Sequence, residues 1–371
     1  MSTFKELGIH PNLVKRLVEM GIVTPTPVQE ETIPYLLSQN NNFVGQAQTG
    51  TGKTAAFGLP LIQKVSAKNP KIQGLILSPT RELVQQISKQ LFKYTKHYDQ
   101  VFNVAVFGGP NMDKQIGALT KPTQIVVATP GRLIDLLERE LISLSDVKTV
   151  VLDEADEMLS MGFKADIDKI LAYTQKDAQT WLFSATLPED IQKIIKKFMS
   201  SGYKEVKIDA ENQVNKNITH EYVICEKGDK LNAMHQFLRN QGDKRGVIFC
   251  RTKADSLILN KQLKAKNYEV DVLNGDLKQI EREKVLRAFK GLKLQLLIST
   301  DVAARGIDIE NLAFILHHSL PDQMEYYTHR AGRTARAGKK GLSLSFISLQ
   351  DKKQIKRLES ALNIDFSETI V

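Results

Sequence analysis

Short continuous apolar runs recur through the first half of the chain: NFVGQA, GLILSP, FNVAVFGG, QIVVATPG, TVVLDEAD and TWLFSAT. They lack polar alternation, and each ends in or runs into Gly, Pro, Ser, Thr or Asp, the pattern of strands buried on both faces of a parallel sheet. Helical patterns separate them. RELVQQISKQLFKYTK sets Leu83, Ile87 and Leu91 four apart, and Pro188 and Glu189 mark a helix start in the stretch that follows Thr186. The polar segment DAENQVNKN at 209–217 has no apolar period and reads as a connection. Alternation then resumes with ITHEYVIC, GVIFC, EVDVLNG, QLLIST, LAFILHHS and LSLSFISL, and Thr252 and Asp255 stand at capping-box spacing before a helix towards Leu263. A further helix is expected from Pro321 through PDQMEYYTHRAG. The pattern predicts an α/β protein of two tandem domains, 1–208 and 218–371, joined by a flexible linker at 209–217, each a mainly parallel sheet flanked by helices.

A chain of 371 residues is the size of two ordinary domains, and 42% hydrophobic with 25% charged residues excludes global disorder and a small stapled module. Lys and Arg total 51 against 42 Asp and Glu, a net charge of +9 that favours a polyanionic partner without naming one. The two cysteines, Cys225 and Cys250, suggest neither a disulfide framework nor a zinc site. No run approaches the roughly 18 to 20 apolar residues of a membrane span and the N-terminus has no apolar signal core, so a cytoplasmic protein is expected.

The strongest local signal is AQTGTGKTAAF, between the strand NFVG and an apolar helix. Gly50 and Gly52 let the backbone curl so that amide N–H groups face one anion, Lys53 adds a point charge for terminal phosphates, and Thr54 offers a hydroxyl to Mg²⁺. Ala47 stands where such loops usually begin with glycine. The acidic partner comes at the end of TVVLDEAD: Asp153 would hold the metal largely through its water shell, Glu154 could take a proton from an attacking water, and Asp156 is expected to face elsewhere.

At these residues the chain resembles the DEAD-box RNA helicases, whose name spells residues 153–156. The resemblance spans essentially the whole sequence, through PTRELVQQ, Gly108 and Gly109, TPGR, SAT, VIFCRTK, LNGDLKQIERE, TDVAARGID and HRAGRTARAG in order. It implies two RecA-like domains and RNA-stimulated hydrolysis of ATP with Mg²⁺. Gln29 in GIVTPTPVQ would read adenine through its amide, with Phe4, Ile22 and Thr24 in the same motif; Ile22 stands where many members carry a stacking aromatic. Gln48, Thr49 and Thr51 complete the phosphate loop, and Asp308 matches a ribose contact. Arg333 and Arg336 match arginine fingers that reach the γ-phosphate, with His329 beside them. Arg330 is taken with Ser184, Ala185 and Thr186 as coupling hydrolysis to strand separation.

The same resemblance assigns RNA contacts to Pro79, Thr80, Arg81, Gly108, Gly109, Thr129, Gly131 and Arg132 in the first domain, and to Arg251, Gly275, Thr300 and Asp301 in the second. Glycine amides, hydroxyls and a few arginines suit a sugar-phosphate backbone and not base edges, so single-stranded and short duplex RNA should bind without sequence specificity. The expected cycle is closure of the domains on ATP and RNA, local unwinding of short duplexes, and reopening after hydrolysis. A non-catalytic RNA clamp and a DNA-directed helicase are the alternatives.

Overall fold

In the computed structural model the chain divides into two compact units, Met1–Ala210 and Glu211–Val371. The structure describes residues 2–38, 41–47, 50–98, 100–109, 112–199, 202–207, 216–226, 228–304, 307, 312–335 and 339–371. Most of the segment expected as the linker, 209–215, lies outside them.

The first unit is built on β1 (Asn42–Gln46), β2 (Gly74–Leu77), β3 (Asn103–Val106), β4 (Ile125–Ala128), β5 (Thr149–Leu152), β6 (Gln179–Ser184) and β7 (Tyr203–Lys207), in the order β3-β4-β2-β5-β6-β1-β7. The pairings are parallel, Ile76 facing Val127 on one side and Val151 on the other. Successive side chains leave opposite faces of the sheet. Phe43, Ile76, Val127, Val151, Trp181 and Phe183 join one apolar cluster, and Val44, Leu75, Val126, Val150 and Leu182 the other. Helices cover both clusters, which is why these strands read as unbroken apolar runs.

The second unit repeats the plan with β8 (Ile218–Ile224), β9 (Gly246–Phe249), β10 (Val270–Leu273), β11 (Leu296–Ser299), β12 (Phe314–His317), β13 (Gly341–Ile347) and β14 (Phe366–Glu368), ordered β10-β11-β9-β12-β13-β8-β14 and parallel throughout the described residues. Ile248, Ile298 and Leu316 face one cluster, and Val247, Leu297 and Ile315 the other.

Every strand read from an apolar run is present. One edge strand of each sheet, β7 and β14, is additional; their sequences YKEVK and FSE are mostly exposed and carry no such run. Two helix expectations change. The Arg81–Tyr94 helix buries Val84, Ile87, Leu91 and Tyr94, leaving Leu83 half-exposed. The helix expected from Pro321 begins at Met324, after Gln323 as its cap. Cys250 is buried at the end of β9 and its thiol is pushed up to about 12 by burial; half-buried Cys225 is shifted the same way by burial, and both are free. No helix among the described residues is long and apolar enough to cross a membrane.

Candidate functional site

Because the strands run parallel, their carboxyl ends share one edge of each sheet, where ligands of open α/β folds bind. In the first unit this edge carries two groups of residues. The ends of β1, β5 and β6 bear the phosphate loop, the carboxylates and the Ser184–Thr186 turn; the ends of β2, β3 and β4 bear the residues expected at RNA.

Gly50 and Gly52 have φ of 84° and 95°, the left-handed backbone that the curl of the loop requires. Lys53 opens the Lys53–Lys64 helix, is 6% exposed, and its Nζ donates to the Ala47 carbonyl at 2.9 Å, folding the ammonium back over the loop. Thr51 and Thr54 are half-buried, and Gln48 and Thr49 lie outside the described residues. Gln29, 3% exposed, grips this loop: its Oε1 accepts from Thr26 N at 3.0 Å and its Nε2 donates to the Gly52 carbonyl at 3.1 Å. The amide expected to read adenine thus also pins the phosphate loop, leaving at most one further N–H and one further lone pair for a base. Phe4 is 2% exposed within the apolar core, and Ile22 packs half-buried against the same cluster, whereas Thr24 is exposed. Phe4 supports the motif from behind and presents no ring face.

A Cβ at Gly52 would lie 2.4 Å from Gln29 Nε2 on a backbone that already disfavours a side chain. Gly52→Ala is therefore expected to weaken ATP binding by about tenfold or more, since strain of this kind costs of order 1–3 kcal/mol. Equilibrium titration with a fluorescent ATP analogue checks this, and unchanged affinity would mean that the loop tolerates the shift.

Asp153 follows β5, its N–H bonded to the Leu77 carbonyl, and is 5% exposed. Burial pushes its carboxyl up from the ordinary range; the Lys53 charge opposes this and Glu154 adds to it. Its Oδ1 is buried with no hydrogen-bond partner. A buried carboxylate oxygen in that state, with the Thr54 hydroxyl also on this loop edge, fits a divalent cation. Glu154 adopts φ 50° and ψ 52° at the cap of the Ala155–Ser160 helix, a left-handed conformation costing roughly 1–2 kcal/mol for a residue with a side chain.

Asp156 does not face away from the site, as the sequence suggested. It is 9% exposed; its Oδ2 accepts from both the N–H and the Oγ1 of Thr186 at 2.9 Å, and its N–H donates to Ser184 Oγ at 3.2 Å. Ser184 Oγ donates in turn to the Thr186 carbonyl at 2.7 Å, and Gln46 Nε2 to that of Ala185 at 3.2 Å. The carboxylate helix and the Ser-Ala-Thr turn are one hydrogen-bonded body.

On the other half of the edge, Arg81 and Arg132 converge on Gly109. A Cβ there would meet Arg81 Nη1 at 2.6 Å, and Arg132 Nη2 donates to the Gly109 carbonyl at 3.2 Å. Pro79 and Thr80 are buried, Thr80 capping the Arg81–Tyr94 helix through Leu83 N, and Gly108 lies 3.5 Å from the guanidinium by the same Cβ measure. Thr129 immediately precedes the Pro130–Glu138 helix, whose first turn exposes Gly131. Three chain segments thus present two guanidinium groups and helix-start amides together, an arrangement suited to phosphate oxygens.

In the second unit Arg251, Gly275, Thr300 and Asp301 follow β9, β10 and β11 at the carboxyl edge. Arg251 pairs with exposed Asp322 at 2.8 Å, and Gly275 lies 3.4 Å from Lys253 Cε by the Cβ measure. Arg330 is 1% exposed and forks onto Asp301, at 2.5 and 2.7 Å, so it holds that residue from inside the unit. Arg333 Nη1 donates to the Ile307 carbonyl at 2.7 Å and its Nε to that of half-buried His329 at 3.3 Å. Asp308 and Arg336 lie outside the described residues.

Two buried histidines of this unit are held neutral by desolvation, His220 pushed down to about 4 and His317 well below its ordinary value. The unfolded chain binds those protons first, so stability contributed above about pH 6.5 is lost as pH falls below it, by up to about 1.4 kcal/mol per pH unit for each histidine. Trp181, the chain's one tryptophan, lies in the first unit. In urea titrations of the full chain, the part of the circular-dichroism change that tryptophan fluorescence does not follow is expected to move to lower urea between pH 7 and pH 5; no movement would mean that the histidines take up protons without unfolding.

Comparison with known proteins finds matches to both units. The family model described as DEAD/DEAH box helicase matches residues 26–194, and that of the helicase conserved C-terminal domain matches 229–338. The chain is 42% identical over 359 residues to the DEAD-box ATP-dependent RNA helicase CshA of Bacillus cereus, covering 97% of this chain and 68% of that protein. It is 40% identical to CshA of Bacillus subtilis, over 96% and 72%. Among solved structures, S. cerevisiae Dbp5 bound to RNA and ADP BeF3 superposes with a TM-score of 0.90 at 30% identity, covering 100% of this chain and 96% of that one.

Proposed function

The chain belongs to the DEAD-box ATP-dependent RNA helicase family, and from that premise we propose that it hydrolyses ATP in response to RNA and uses the cycle to open short RNA duplexes and remodel RNA–protein complexes. One observation carries the reading: a single edge of the first sheet holds both the loop of Gly50, Gly52 and Lys53 with Asp153, and the Arg81–Gly109–Arg132 convergence. A triphosphate and a nucleic-acid backbone then bind on neighbouring strand ends, with the body formed by Asp156, Ser184 and Thr186 beside the nucleotide.

In this mechanism the loop amides and Lys53 bind the phosphates and Gln29 binds adenine. Thr54 and Asp153 would hold Mg²⁺, which when bound neutralises phosphate charge. Glu154 accepts the proton of the attacking water, and Arg333 and Arg336 meet charge developing on the transferred phosphoryl group, with Asp308 on the ribose. RNA favours the state competent for hydrolysis, so turnover depends on RNA. We place this work in the cytoplasm, where thiols such as Cys225 and Cys250 stay reduced.

The test is steady-state ATP turnover with and without single-stranded RNA, beside displacement of a short strand from RNA and from DNA duplexes. Turnover stimulated by RNA and displacement confined to duplexes containing RNA are expected. ATP-dependent binding without turnover would make the protein a clamp, and equal displacement of DNA a general helicase.

A further inference from the structure

A buried file of polar side chains crosses the interior of the second unit behind its carboxyl edge. Arg330 Nη1 donates to the Ser319 carbonyl at 2.7 Å and meets His317 Nδ1 at 3.3 Å. His317 Nε2 meets Ser343 Oγ at 2.9 Å, Ser343 Oγ meets Tyr327 OH at 2.9 Å, and Tyr327 OH meets His220 Nδ1 at 2.6 Å. All five side chains are at most 5% exposed. The direction of the file follows from one member. A guanidinium only donates, so His317 Nδ1 must accept, and the neutral ring then carries its proton at Nε2 and donates to Ser343 Oγ. The tautomer of His317 is thereby fixed, and it needs His317 neutral, in keeping with its burial.

A purely structural core between the carboxyl end of β12 and the interior of β13 would be served by apolar side chains, which stabilise as well as a polar network or better. This file spends its geometry on Arg330. The guanidinium is fixed on three sides, by His317 and Ser319 at Nη1, by the bidentate Asp301 carboxylate at Nε and Nη2, and by the Phe249 ring 5.1 Å away. Tyr327 and Arg330, three apart on the Met324–Ala331 helix, both enter the file, and the His317 ring stacks on Tyr327 at 4.9 Å. Asp301 opens the short Asp301–Ala304 helix next to Thr300.

We propose that His317 is a positioning residue for RNA binding: by accepting from Arg330 it orients the guanidinium that holds Asp301, and with it the Thr300–Asp301 backbone, in the geometry that meets the RNA strand. This rests on the reading that Thr300 and Asp301 contact RNA. Ser343 is its support, because without an acceptor at Nε2 the ring has no reason to keep Nδ1 turned to Arg330.

The test measures RNA-stimulated ATP turnover at saturating ATP in the full chain, separating the RNA concentration for half-stimulation from kcat, with thermal melting alongside. His317→Phe keeps the ring and its stacking but removes the acceptor; half-stimulation should need about tenfold more RNA, the worth of one hydrogen bond to a charged group, with kcat within about twofold. His317→Asn, whose Oδ1 can stand where Nδ1 stood, should restore the wild-type value. Ser343→Ala, a small change that folds if His317→Phe does not, should raise the RNA requirement about threefold or more. Lowered melting with unchanged RNA half-stimulation in these variants would make the file a stability element and overturn the proposal. Asp301→Asn separates the two levels: if it raises the RNA requirement and the His317 and Ser343 variants do not, the positioning role alone falls; if it has no effect either, the RNA contact at Asp301 falls with it.

Discussion

Arg333→Ala is expected to lower RNA-stimulated ATP turnover by about 10³-fold or more, the low end of what an arginine finger contributes. Among the described residues the guanidinium donates to two backbone carbonyls of its own unit, those of Ile307 and His329, and losing bonds to neutral acceptors costs little, so the variant should fold. The lost term is charge neutralisation on the phosphoryl oxygens in the transition state, which appears in kcat and not in nucleotide affinity. Arg333→Lys should recover little, because an ammonium cannot span two oxygens as a planar fork does. Steady-state turnover at saturating RNA, paired with equilibrium binding of a non-hydrolysable ATP analogue, checks both halves. Turnover within tenfold of wild type would assign the finger's work to Arg336 alone.

Glu154→Gln is expected to cost about 10²- to 10⁴-fold in turnover, the usual range for loss of a general base, while ATP and RNA still bind. Glutamine matches glutamate in size and bears the left-handed backbone at φ 50° no worse, so the variant isolates the proton acceptor. Asp153, which faces the Lys53 charge, and Asp156, bonded to Thr186, stay in place. A trapped complex that holds ATP and RNA without turnover is the expected product, seen as RNA that stays bound under ATP. Undiminished turnover would remove Glu154 as the base.

Sequence carried the strand content and the position of each motif at a strand end because both are local: an apolar run bounded by Gly, Ser or Asp marks a strand and its exit at once. Edge strands β7 and β14 escaped, since a strand covered on one side needs no apolar run. What was not legible is which polar groups meet across the fold. Asp156 looked like a bystander because Thr186 lies 30 positions away, and nothing in either segment announces their bond. Phe4 looked like a ligand-facing aromatic by its place in a motif, yet the helices around it claim its ring for the core. His220, Tyr327 and Ser343 sit in runs that pattern as ordinary strand and helix, and only the sheet order brings them into one file.

The placing of the two cysteines, Cys225 half-buried and Cys250 buried, has a practical consequence. Thiolate is the species that attacks maleimides and iodoacetamides, and burial raises the pKa of both Cys225 and Cys250, the latter to about 12. At neutral pH the native chain is therefore a slow target for such reagents. Exposed Asp177 and Asp243 lie just before β6 and β9, at the amino ends of the strands and away from the motif-bearing edge. A cysteine placed at each would take a donor and an acceptor dye ahead of the native thiols, giving an optical ruler between the two units during turnover without first stripping the chain of its own sulfur.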